Sequence, residues 1–587
     1  MKKDDHDCDT KVRELDAAGA PLSRRTLLKG TTGAALAAAA SGLGLEASTS
    51  PAPAGQPAAS PHTVPPGMQV PGGKVLGYDT LGGVYPQYRP LGLRGELDRN
   101  EYFHNLTVHA VLETDRGTGG CDDGPMCPLW VRGERRLLKS GVDITDPLKP
   151  FVAQDRFPGG WLFYATHLKK WICFQNVQMR MTQPNVQYPW GHYAGPDAEA
   201  RTSKQFHEVY AASKGQFRGL RAFDVTDPST PVQLGEYKSG DTGLFGHGHF
   251  WDGGRYMYLM DSWDESLREA TSYCYYGAGV GIIDVWNPAN IKDVAKWWVP
   301  GQRFDEEEEW AKWPFAGMKM AWCQAHGAPF VPRRVEDGGK YGYAGMGHFG
   351  LYVLDLTDIT KPTPIGHVKH PLECNFGSIP HHTQLTIETG QANPTLLITV
   401  DEELITDGRG PWHASYMVDI QDPRNPKIIG LFPRPLPPKE APYADFAFSR
   451  GRFGSHNSMA WCPPGTGRAD FTGLTHFGAG MRFYDIRDPR EPKEVAWWVP
   501  ARTGTFTDEE FDTWYREEPE GFIEWDRNLI WMSDRRTKLM CCSTPMLGKP
   551  ILEPRRVERW AVDHVNRGWD DQTPKSVYLG RSLSQMT

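Results

Sequence analysis

The sequence lacks the features that mark several common protein classes. It has no excess of basic residues, because 64 Lys and Arg are set against 72 Asp and Glu, and a net charge of -8 argues against a nucleic-acid partner. It contains no Cys-x-x-Cys pair, no Gly-x-Ser-x-Gly elbow, no Gly-x-x-x-x-Gly-Lys phosphate loop and no dinucleotide fingerprint. These absences disfavour a zinc ribbon, an α/β-hydrolase, a P-loop enzyme and a nicotinamide-dependent dehydrogenase.

Long apolar runs are also scarce, whereas turn-forming and aromatic residues are plentiful. No stretch after the N-terminal region is long and apolar enough to span a bilayer, so we expect no membrane span in the mature protein. The 587 residues include 63 Gly, 48 Pro and 21 Trp. Short aromatic-rich runs separated by Gly and Pro turns are typical of all-β proteins. The length exceeds one ordinary core and predicts either several domains or a repeat architecture.

The N-terminal region has the order of a targeting segment. Arg24 and Arg25 lie in a Ser-Arg-Arg-Thr-Leu-Leu-Lys motif, an Ala-rich apolar stretch follows at about 31–45, and a Ser/Ala/Pro linker follows at 48–66. This order predicts a twin-arginine signal and a periplasmic or secreted protein. The alternative is a chance Arg pair before an Ala-rich linker. We therefore divide the chain into a signal and linker (1–60) and one domain (61–587).

Ten cysteines are present, and an oxidising compartment would allow some of them to pair. Cys121 and Cys127 bracket a Gly-Pro turn and predict a local disulfide. Cys541 and Cys542 are adjacent, so a bond between them would be strained. We expect these two residues to pair elsewhere or to stay buried as thiols.

One short pattern recurs six times. An apolar strand ends in Asp, an apolar residue follows, and a turn of the Thr-Asp-Pro-x-x-Pro type comes next. The Asp of each copy is Asp143, Asp224, Asp284, Asp355, Asp419 or Asp485. The third copy has Asn287 for the second Asp, and the fourth has Ile359 for the first Pro. Neither change removes the turn chemistry, because Asn and Asp both bond to the backbone of a turn.

The repeat predicts a ring of stacked sheets. One such unit cannot bury both of its faces, so units must pack against each other, and about 60 residues of strand fit a four-stranded propeller blade. Runs at 528–532 and 538–540 predict a seventh blade, and a strand such as Lys74–Leu76 is expected to close it. We therefore predict an all-β fold, a β-propeller of seven four-stranded antiparallel blades.

Over roughly residues 100–500 these motifs resemble the LVIVD repeat family, whose members look like β-propellers. The resemblance implies the fold and says little about chemistry, since propellers host many functions. By analogy, carotenoid-cleaving dioxygenases place four His on iron at a propeller axis. Selenium-binding proteins with methanethiol oxidase activity are propellers linked to copper. The motifs of this chain match neither family closely, so the resemblance implies no substrate.

Histidines open the predicted first, innermost strand in four consecutive blades. They are His247, His326, His382 and His456, and His249 shares a face with His247 by strand alternation. We align these strands with each other by the apolar residues that lie three and five places after His382 and after His456. Innermost strands line the axis of a propeller, so these imidazoles predict a metal site at one end of it, with His247, His249, His326, His382 and His456 as ligands. The alternative is that they are structural groups bonding between blades.

A second group of histidines is predicted on the same face, between second and third strands. His348 and His476 are placed at matching positions, with His413 a looser match, and we assign all three to catalysis. Insertions at about 175–217, 264–276 and 401–412 fall in the same loops and predict a substrate lid. His104, His109 and His167 lie near predicted first strands but out of register, and we expect them to be core or channel residues.

Together these features predict an exported metalloenzyme, a copper- or iron-dependent oxidoreductase acting on a small apolar or aromatic molecule. An all-His site leaves coordination positions open for substrate or dioxygen. Two alternatives stay open at this point. One is a non-enzymatic binding or scaffold propeller, and the other is a zinc-dependent hydrolase or lyase.

Overall fold

The structure is a computed structural model, and it describes the middle of the chain with gaps. The described residues are 98–118, 129–155, 157–177, 216–240, 249–261, 263, 267, 278–313, 325–326, 328–347, 349–369, 383–388, 395–401, 414–443, 446, 453–457, 470–501, 519–534 and 537–556. For 383–388 and 401 the backbone alone is described. The disulfide predicted between Cys121 and Cys127 lies outside these residues.

Nearly all regular structure in this part of the chain is β-strand. The first strands are β1 (Tyr102–His104), β2 (Thr107–Glu113), β3 (Leu129–Arg132), β4 (Arg135–Leu138), β5 (Val142–Asp143), β6 (Phe151–Val152), β7 (Trp161–Ala165), β8 (Lys170–Val177), β9 (Gly219–Asp224), β10 (Val232–Lys238), β11 (His249–Phe250), β12 (Tyr256–Asp261), β13 (Gly279–Asp284) and β14 (Lys292–Trp297). The others are β15 (Tyr341–Gly345), β16 (Leu351–Asp355), β17 (Thr363–Val368), β18 (Thr383–Glu388), β19 (Leu396–Asp401), β20 (Ser415–Asp419), β21 (Lys427–Leu431), β22 (Phe471–Thr475), β23 (Met481–Asp485), β24 (Lys493–Val499), β25 (Glu520–Glu524), β26 (Leu529–Ser533) and β27 (Lys538–Ser543). Helix α1 spans Glu307–Trp310, and 3-10 turns span Val335–Asp337, Phe477–Ala479 and Pro545–Leu547.

The described strands form seven antiparallel sheets, which are the blades of a β-propeller. In chain order blades 1 to 7 are β3-β4-β5-β6, β7-β8-β9-β10, β11-β12-β13-β14, β15-β16-β17, β18-β19-β20-β21, β22-β23-β24-β1 and β25-β26-β27-β2. Blade 4 gains its first strand through a bridge between Phe330 and Tyr343. In blade 6 the backbone of His456 and Asn457 bonds to Thr475 of β22, so β1 is an additional, fifth strand on the outside. The predicted all-β propeller of seven blades is confirmed.

Residues from the start of the described chain close the ring. β2 pairs with β27 and completes blade 7, with Thr107 opposite Ser543 and Glu113 opposite Lys538. The prediction that Lys74–Leu76 supplies this strand is wrong, and those residues lie outside the described part. The 528–532 and 538–540 runs do form blade 7, as β26 and β27. Closure by β2 removes the open edge that a linear stack of blades would expose.

A buried ionic cluster joins blade 7 to blade 1 beside this closure; we call it the closure cluster. Arg136 of blade 1 contacts Glu524 and Asp526 of blade 7, the latter through both of its oxygens at 2.7 and 2.9 Å. Arg527 donates to Glu524 at 2.7 Å and to the Ile144 carbonyl at 2.9 Å. The side chains of Arg136, Glu524 and Arg527 are 0% exposed, and the neighbouring cations lower the pKa of Glu524 against the effect of burial. The cluster therefore binds the last blade to the first.

The repeat sequence forms two consecutive Asp or Asn turns after each of six third strands. Asp355 accepts the amide of Thr357 at 2.9 Å, and Asp358 accepts that of Thr360 at 3.1 Å. The same pair of bonds recurs in the other five copies, from Asp143, Asp146, Asp224, Asp227, Asp284, Asn287, Asp419, Asp422, Asp485 and Asp488. Each side chain supplies an acceptor that the turn backbone otherwise lacks.

Three of these turns, which contain Pro288, Pro423 and Pro489, pack against the fourth strand of the preceding blade. Each of those three fourth strands carries a β-bulge, and a glycine follows the bulge. A Cβ added at Gly366 would lie 2.1 Å from the Pro423 carbonyl oxygen, and one at Gly430 would lie 2.2 Å from that of Pro489. The small residues therefore allow neighbouring blades to approach backbone to backbone. Within the described residues, no helix is long and apolar enough to cross a membrane.

Candidate functional site

The antiparallel blades give the ring two distinct ends. First strands begin and second strands end at one of them, which we call the first-strand face. The repeat turns after the third strands lie at the opposite end, the repeat face. The closure cluster is on the repeat face, because Glu524 ends first strand β25. The four predicted site histidines that the structure describes, His249, His326, His456 and His476, lie at the first-strand face.

Two of the predicted ligands occupy the same repeat position. The His326 amide donates to the Gly345 carbonyl at 3.2 Å, and the His456 amide donates to the Thr475 carbonyl at 2.8 Å. Gly345 and Thr475 are equivalent, because they pair with Leu351 and Met481, each four residues before the repeat Asp. His326 and His456 are 4% and 5% exposed. The structure thus places two imidazoles in register at the first-strand face.

His249 lies one step out of this register and packs between blades. It pairs with Leu259, whereas the position equivalent to Gly345 is Met260. Its ring centroid is 4.4 Å from that of Trp161 on the first strand of blade 2. The side chain is fully buried in this contact. His247 lies outside the described residues.

The register predicted for His382 differs from the observed strand pairing. His382 itself lies outside the described residues, but Leu385 of the same segment pairs with Val400, the equivalent of Thr475, with an irregularity at Gln384. The position of His456 therefore falls at Gln384 and Leu385, two and three residues after His382. The prediction relied on an apolar alternation of period two. Such a pattern looks the same after a shift of two residues, so it could not detect the error.

His476 ends the second strand of blade 6 and is completely buried. Its Nε2 lies 3.1 Å from the hydroxyl of Tyr484, and its Nδ1 has no hydrogen-bond partner. Burial, aided by the positive charge of Arg482, lowers the pKa of His476 well below its usual value. The imidazole is therefore neutral at neutral pH, the form that binds metals or accepts a proton.

The predicted match between His348 and His476 is wrong. His476 donates its amide to the Gly480 carbonyl at 2.7 Å, and in blade 4 the corresponding bond runs from Met346 to Gly350 at 2.9 Å. Met346 thus occupies the position of His476, and His348 comes two residues later. His348 and His413 both lie outside the described residues. The shared Phe-Gly sequence next to both histidines suggested an alignment that the loop does not follow.

Blade 6 holds the His456 ring from two sides. The amide nitrogen of Asn457 is 3.0 Å from Nδ1, and the ring stacks on Phe477 with centroids 4.6 Å apart and planes 24° apart. Phe477 has φ +44, in the left-handed region, while Gly347 fills the equivalent position of blade 4 with φ +57. A bulky residue there is strained. Sequence reasoning missed Phe477 because nothing in the sequence reports φ.

Arg482 is a second residue that the sequence analysis missed. It is buried beside the His476 loop, where its Nε donates to the Ala479 carbonyl at 2.8 Å. Its guanidinium stacks over Phe446 and Trp497, and its ion pair with Glu494 is long, at 3.4 Å. Nη2 has no partner, and burial raises the pKa of Glu494. The cation is therefore only partly compensated by the groups around it.

A buried carboxylate occupies the position of His476 in blade 3. Asp261 follows Met260, as His476 follows Thr475, and it is 0% exposed. It accepts a hydrogen bond from the hydroxyl of Ser239. A search for Asp as well as His at the end of each second strand would have found this residue. Asp401 holds the same position in blade 5, and for this residue only the backbone is described.

The expectation that three further histidines are core or channel residues is wrong for His104 and His109, and His167 is not a buried core residue. His104 is on β1 and His109 is on β2, the outermost strands of blades 6 and 7. His167 lies in a hairpin on the repeat face, stacked on Trp286 at 3.7 Å. Short apolar runs near the N-terminus gave the sequence no means of telling outer strands from inner ones.

No group of three His, Cys, Asp or Glu side chains suited to a metal occurs among the residues described. Four of the predicted site histidines, namely His247, His348, His382 and His413, lie beyond that set. The three insertions are flanked by strands of the described part: β8 and β9, β12 and β13, and β19 and β20. All three therefore leave from the ends of second strands, at the first-strand face.

Comparisons with known proteins yield solved structures alone. No protein-family model and no curated protein matches the sequence. Raptor from Chaetomium thermophilum has a TM-score of 0.37 at 7% identity over 78% of this chain, which spans 30% of the Raptor chain. A Cps50 β-propeller domain from Myceliophteria thermophila has a TM-score of 0.36 at 10% identity, covering 73% of this chain and 98% of that one. A hypothetical selenium-binding protein from Sulfolobus tokodaii has a TM-score of 0.32 at 10% identity, covering 69% of this chain and 75% of that one.

Proposed function

We propose that this chain is an exported oxidoreductase that binds a copper or iron ion at the first-strand face and acts on a small apolar or aromatic molecule. The observation that carries the proposal is the matched, buried placement of His326 and His456 at the starts of two first strands. Imidazole nitrogen is a preferred ligand of both metals, and two such groups at one repeat position face a common axis. His382 directly precedes β18 in the intervening blade, and His247 precedes β11. These two residues are our candidates for the remaining ligands.

The neutral imidazole of His476 is proposed to hold or move a proton during the reaction. Its Nε2 is bonded to Tyr484 and its Nδ1 has no hydrogen-bond partner, so with the ring proton on Nε2 the lone pair of Nδ1 can take up a proton. We propose His348 and His413 as further catalytic groups on the neighbouring loops. The metal would supply redox chemistry, and the insertions at 175–217, 264–276 and 401–412, rich in aromatic residues, would cover the substrate.

We further propose that the protein is exported by the twin-arginine route and belongs with the LVIVD repeat propellers. The Arg24-Arg25 motif and the apolar stretch after it support export. The paired Asp turns of the repeat support the family, because that repeat is the part of the sequence that the resemblance uses. Expression with and without the Arg24→Lys, Arg25→Lys pair, followed by cell fractionation, tests the export proposal.

A non-enzymatic binding propeller is the second candidate. Two observations favour it, because the rings of His249 and His456 both pack on aromatic side chains, Trp161 and Phe477. Packed imidazoles are also what a purely structural role would produce. A zinc-dependent hydrolase or lyase is a further alternative, which would use the same histidines but differs from our proposal in its metal and in its reaction.

Elemental analysis of the protein purified from its exported location separates these candidates. We expect about one copper or iron per chain and its loss in His326→Ala and His456→Ala. His167→Ala, on the repeat face, is the matched control and should keep the metal. Zinc in place of copper or iron would favour the hydrolase. Absence of stoichiometric metal, with unaltered behaviour of both variants, would overturn the proposal in favour of the scaffold.

A further inference from the structure

Phe477 is the most unusual backbone position at the site. Four residues other than glycine have positive φ in the described chain, namely Asn105, Lys169, Phe477 and Asn528. Asn tolerates this conformation through local hydrogen bonds, and Lys169 is the last residue of the hairpin turn between β7 and β8 on the repeat face. Phe477 is a fully buried aromatic residue, and neither of these explanations applies to it. Because blade 4 uses Gly347 at the same place, the fold itself does not require a side chain there.

The strained residue places its ring against His456. The two rings stack at 4.6 Å, and both residues are buried. Strain of this kind persists where the surroundings enforce it, and it is concentrated at functional positions. The strained backbone of Phe477 therefore places a ring that fixes the plane of the His456 imidazole.

Asn457 fixes the same ring within its plane. Its own backbone is held on β22, because its amide donates to Thr475 Oγ1 at 2.8 Å and its carbonyl accepts the Thr475 amide at 2.7 Å. Its side-chain nitrogen is 3.0 Å from His456 Nδ1. In this orientation the amide donates, so Nδ1 carries a lone pair and the ring proton is on Nε2. Turning the amide over would exchange donor for acceptor and move the proton to Nδ1 with little change in atomic positions.

We propose that Phe477 and Asn457 are positioning residues that hold the His456 imidazole in one plane and let its tautomer switch between an Nε2–H donor and an Nε2 metal ligand. Phe477 sets the plane of the ring. Asn457 can donate to Nδ1 or accept from it, so it supports either tautomer. The tautomer claim stands on the metal-free protein alone, whereas the ligand claim rests on the proposed metal function.

Nitrogen-15 NMR of metal-free protein labelled at histidine tests the positioning directly. The wild-type His456 signal should report a single ring environment with the proton on Nε2. Asn457→Asp supplies only an acceptor, so it should move the proton to Nδ1. Asn457→Leu and Phe477→Leu remove one support each and should give mixed or broadened signals, whereas Phe477→Tyr keeps the ring and should restore the wild-type spectrum.

Metal titration of the same proteins gives the second readout. Supports of a ligating imidazole typically change metal affinity by about tenfold or more, so Asn457→Leu and Phe477→Leu should bind copper about tenfold more weakly. Asn457→Asp and Phe477→Tyr should bind at least as well as wild type. If wild type binds no metal, the proposed function fails while the NMR result still decides the positioning. Unchanged His456 spectra in Asn457→Leu and Phe477→Leu would overturn the inference.

A thermal control separates strain from the loss of packing. Phe477→Gly and Phe477→Ala both remove the ring, but only Ala keeps a Cβ at positive φ. Phe477→Gly should therefore unfold at the higher temperature of the two, and Gly347→Ala should unfold below wild type. Equal midpoints for the two Phe477 variants would show that the position is not strained and would remove the basis of the proposal.

Discussion

The two ends of the propeller differ in how fully they pair their buried arginines. In the closure cluster on the repeat face, Arg136 donates to Glu524, Asp526 and the Arg555 carbonyl, and Arg527 donates to Glu524 and two carbonyls. Each guanidinium there has at least three contacts to oxygen atoms. At the first-strand face, Arg482 has one carbonyl at 2.8 Å and one carboxylate oxygen at 3.4 Å.

This difference is the one that we expect between a structural cluster and the ligand-binding site that we propose. A buried network whose members are well paired rigidifies a junction, and the junction of the last blade with the first is where a ring needs it. Buried polar groups without partners are rare in folded proteins and call for an explanation. In the closure cluster Nε of Arg136 and Nε of Arg527 are in this state, but the other nitrogens of each guanidinium make at least three contacts to oxygen. At the first-strand face Nδ1 of His476 and Nη2 of Arg482 lack partners, and Arg482 has two contacts to oxygen. We infer that the closure end maintains the ring and the first-strand end is prepared for a ligand.

Removing one member of the closure cluster should have the largest effect on stability. Glu524→Gln leaves Arg136 and Arg527 buried with much less compensation, and we expect a loss of about 3–5 kcal/mol in the free energy of unfolding. Guanidinium unfolding followed by tryptophan fluorescence measures it. Glu309→Gln is the control, because its pair with Lys312 is exposed and should contribute less than about 0.5 kcal/mol. A loss below about 1 kcal/mol for Glu524→Gln would show that the cluster does not hold the ring.

The neutral His476 should make stability depend on pH. Its pKa in the folded protein lies below the unfolded value, so its contribution is intact above about pH 6.5 and falls as the pH drops through the unfolded pKa. One such proton contributes at most about 1.4 kcal/mol per pH unit. His476→Gln keeps an amide that can donate to or accept from the Tyr484 hydroxyl, and it should flatten the slope of unfolding free energy between pH 6.5 and 5.

His367→Gln is the comparison for this measurement. Burial also lowers the pKa of His367, but its bond to the Phe349 carbonyl opposes the shift. His367→Gln should therefore flatten the slope of unfolding free energy against pH less than His476→Gln does. Parallel slopes for wild type and His476→Gln would contradict the assignment of a buried neutral imidazole.

Loss of one side-chain acceptor in a repeat turn should lower the free energy of unfolding by about 1 kcal/mol. Asp488 accepts the Arg490 amide at 3.0 Å, and Asp488→Ala removes that bond. Asp488→Asn should be close to neutral, because Asn287 already makes the same bond to Ala289 in blade 3. Thermal unfolding of both variants measures the difference. If Ala and Asn were equally destabilising, the side-chain bond would not be the reason that the repeat keeps Asp or Asn.

Replacing the weak pair at the other end should have the smallest effect. Arg482→Met with Glu494→Leu exchanges a poorly paired buried cation and its carboxyl for apolar groups, and we expect a change within about 1 kcal/mol of zero. The same unfolding measurement that detects the Glu524→Gln loss applies here. A loss comparable to that of Glu524→Gln would erase the distinction between the two ends.

Much of the fold could be predicted because the blades repeat the same turn residues as well as the same order of strands. Asp and Asn at the ends of third strands form local turns, and local hydrogen bonds are encoded within a few residues of sequence. Ring closure could not be predicted in detail, since β2 pairs with a strand more than 400 residues away and several N-terminal runs have a suitable apolar pattern. The closure cluster is equally nonlocal, because Arg136 and Glu524 are 388 residues apart.

The strand positions of the candidate histidines could be predicted only in part. His326 and His456 share a position, as the sequence suggested, but the alignment of His382 was off by two residues and that of His348 and His476 was wrong. Strand alternation fixes which face a residue uses and leaves shifts of two unresolved. Phe477 and Arg482 could not be found from the sequence, because backbone strain and missing hydrogen bonds exist only in three dimensions.

The number of imidazoles on a bound metal tests the central idea most directly. Pulsed EPR of the copper-loaded protein detects the remote nitrogen of each coordinated imidazole. We predict signals from at least two histidines in wild type, and the loss of one imidazole in each of His326→Ala and His456→Ala. A copper spectrum without histidine nitrogen, or one that both variants leave unchanged, would contradict a metal site at the first-strand face.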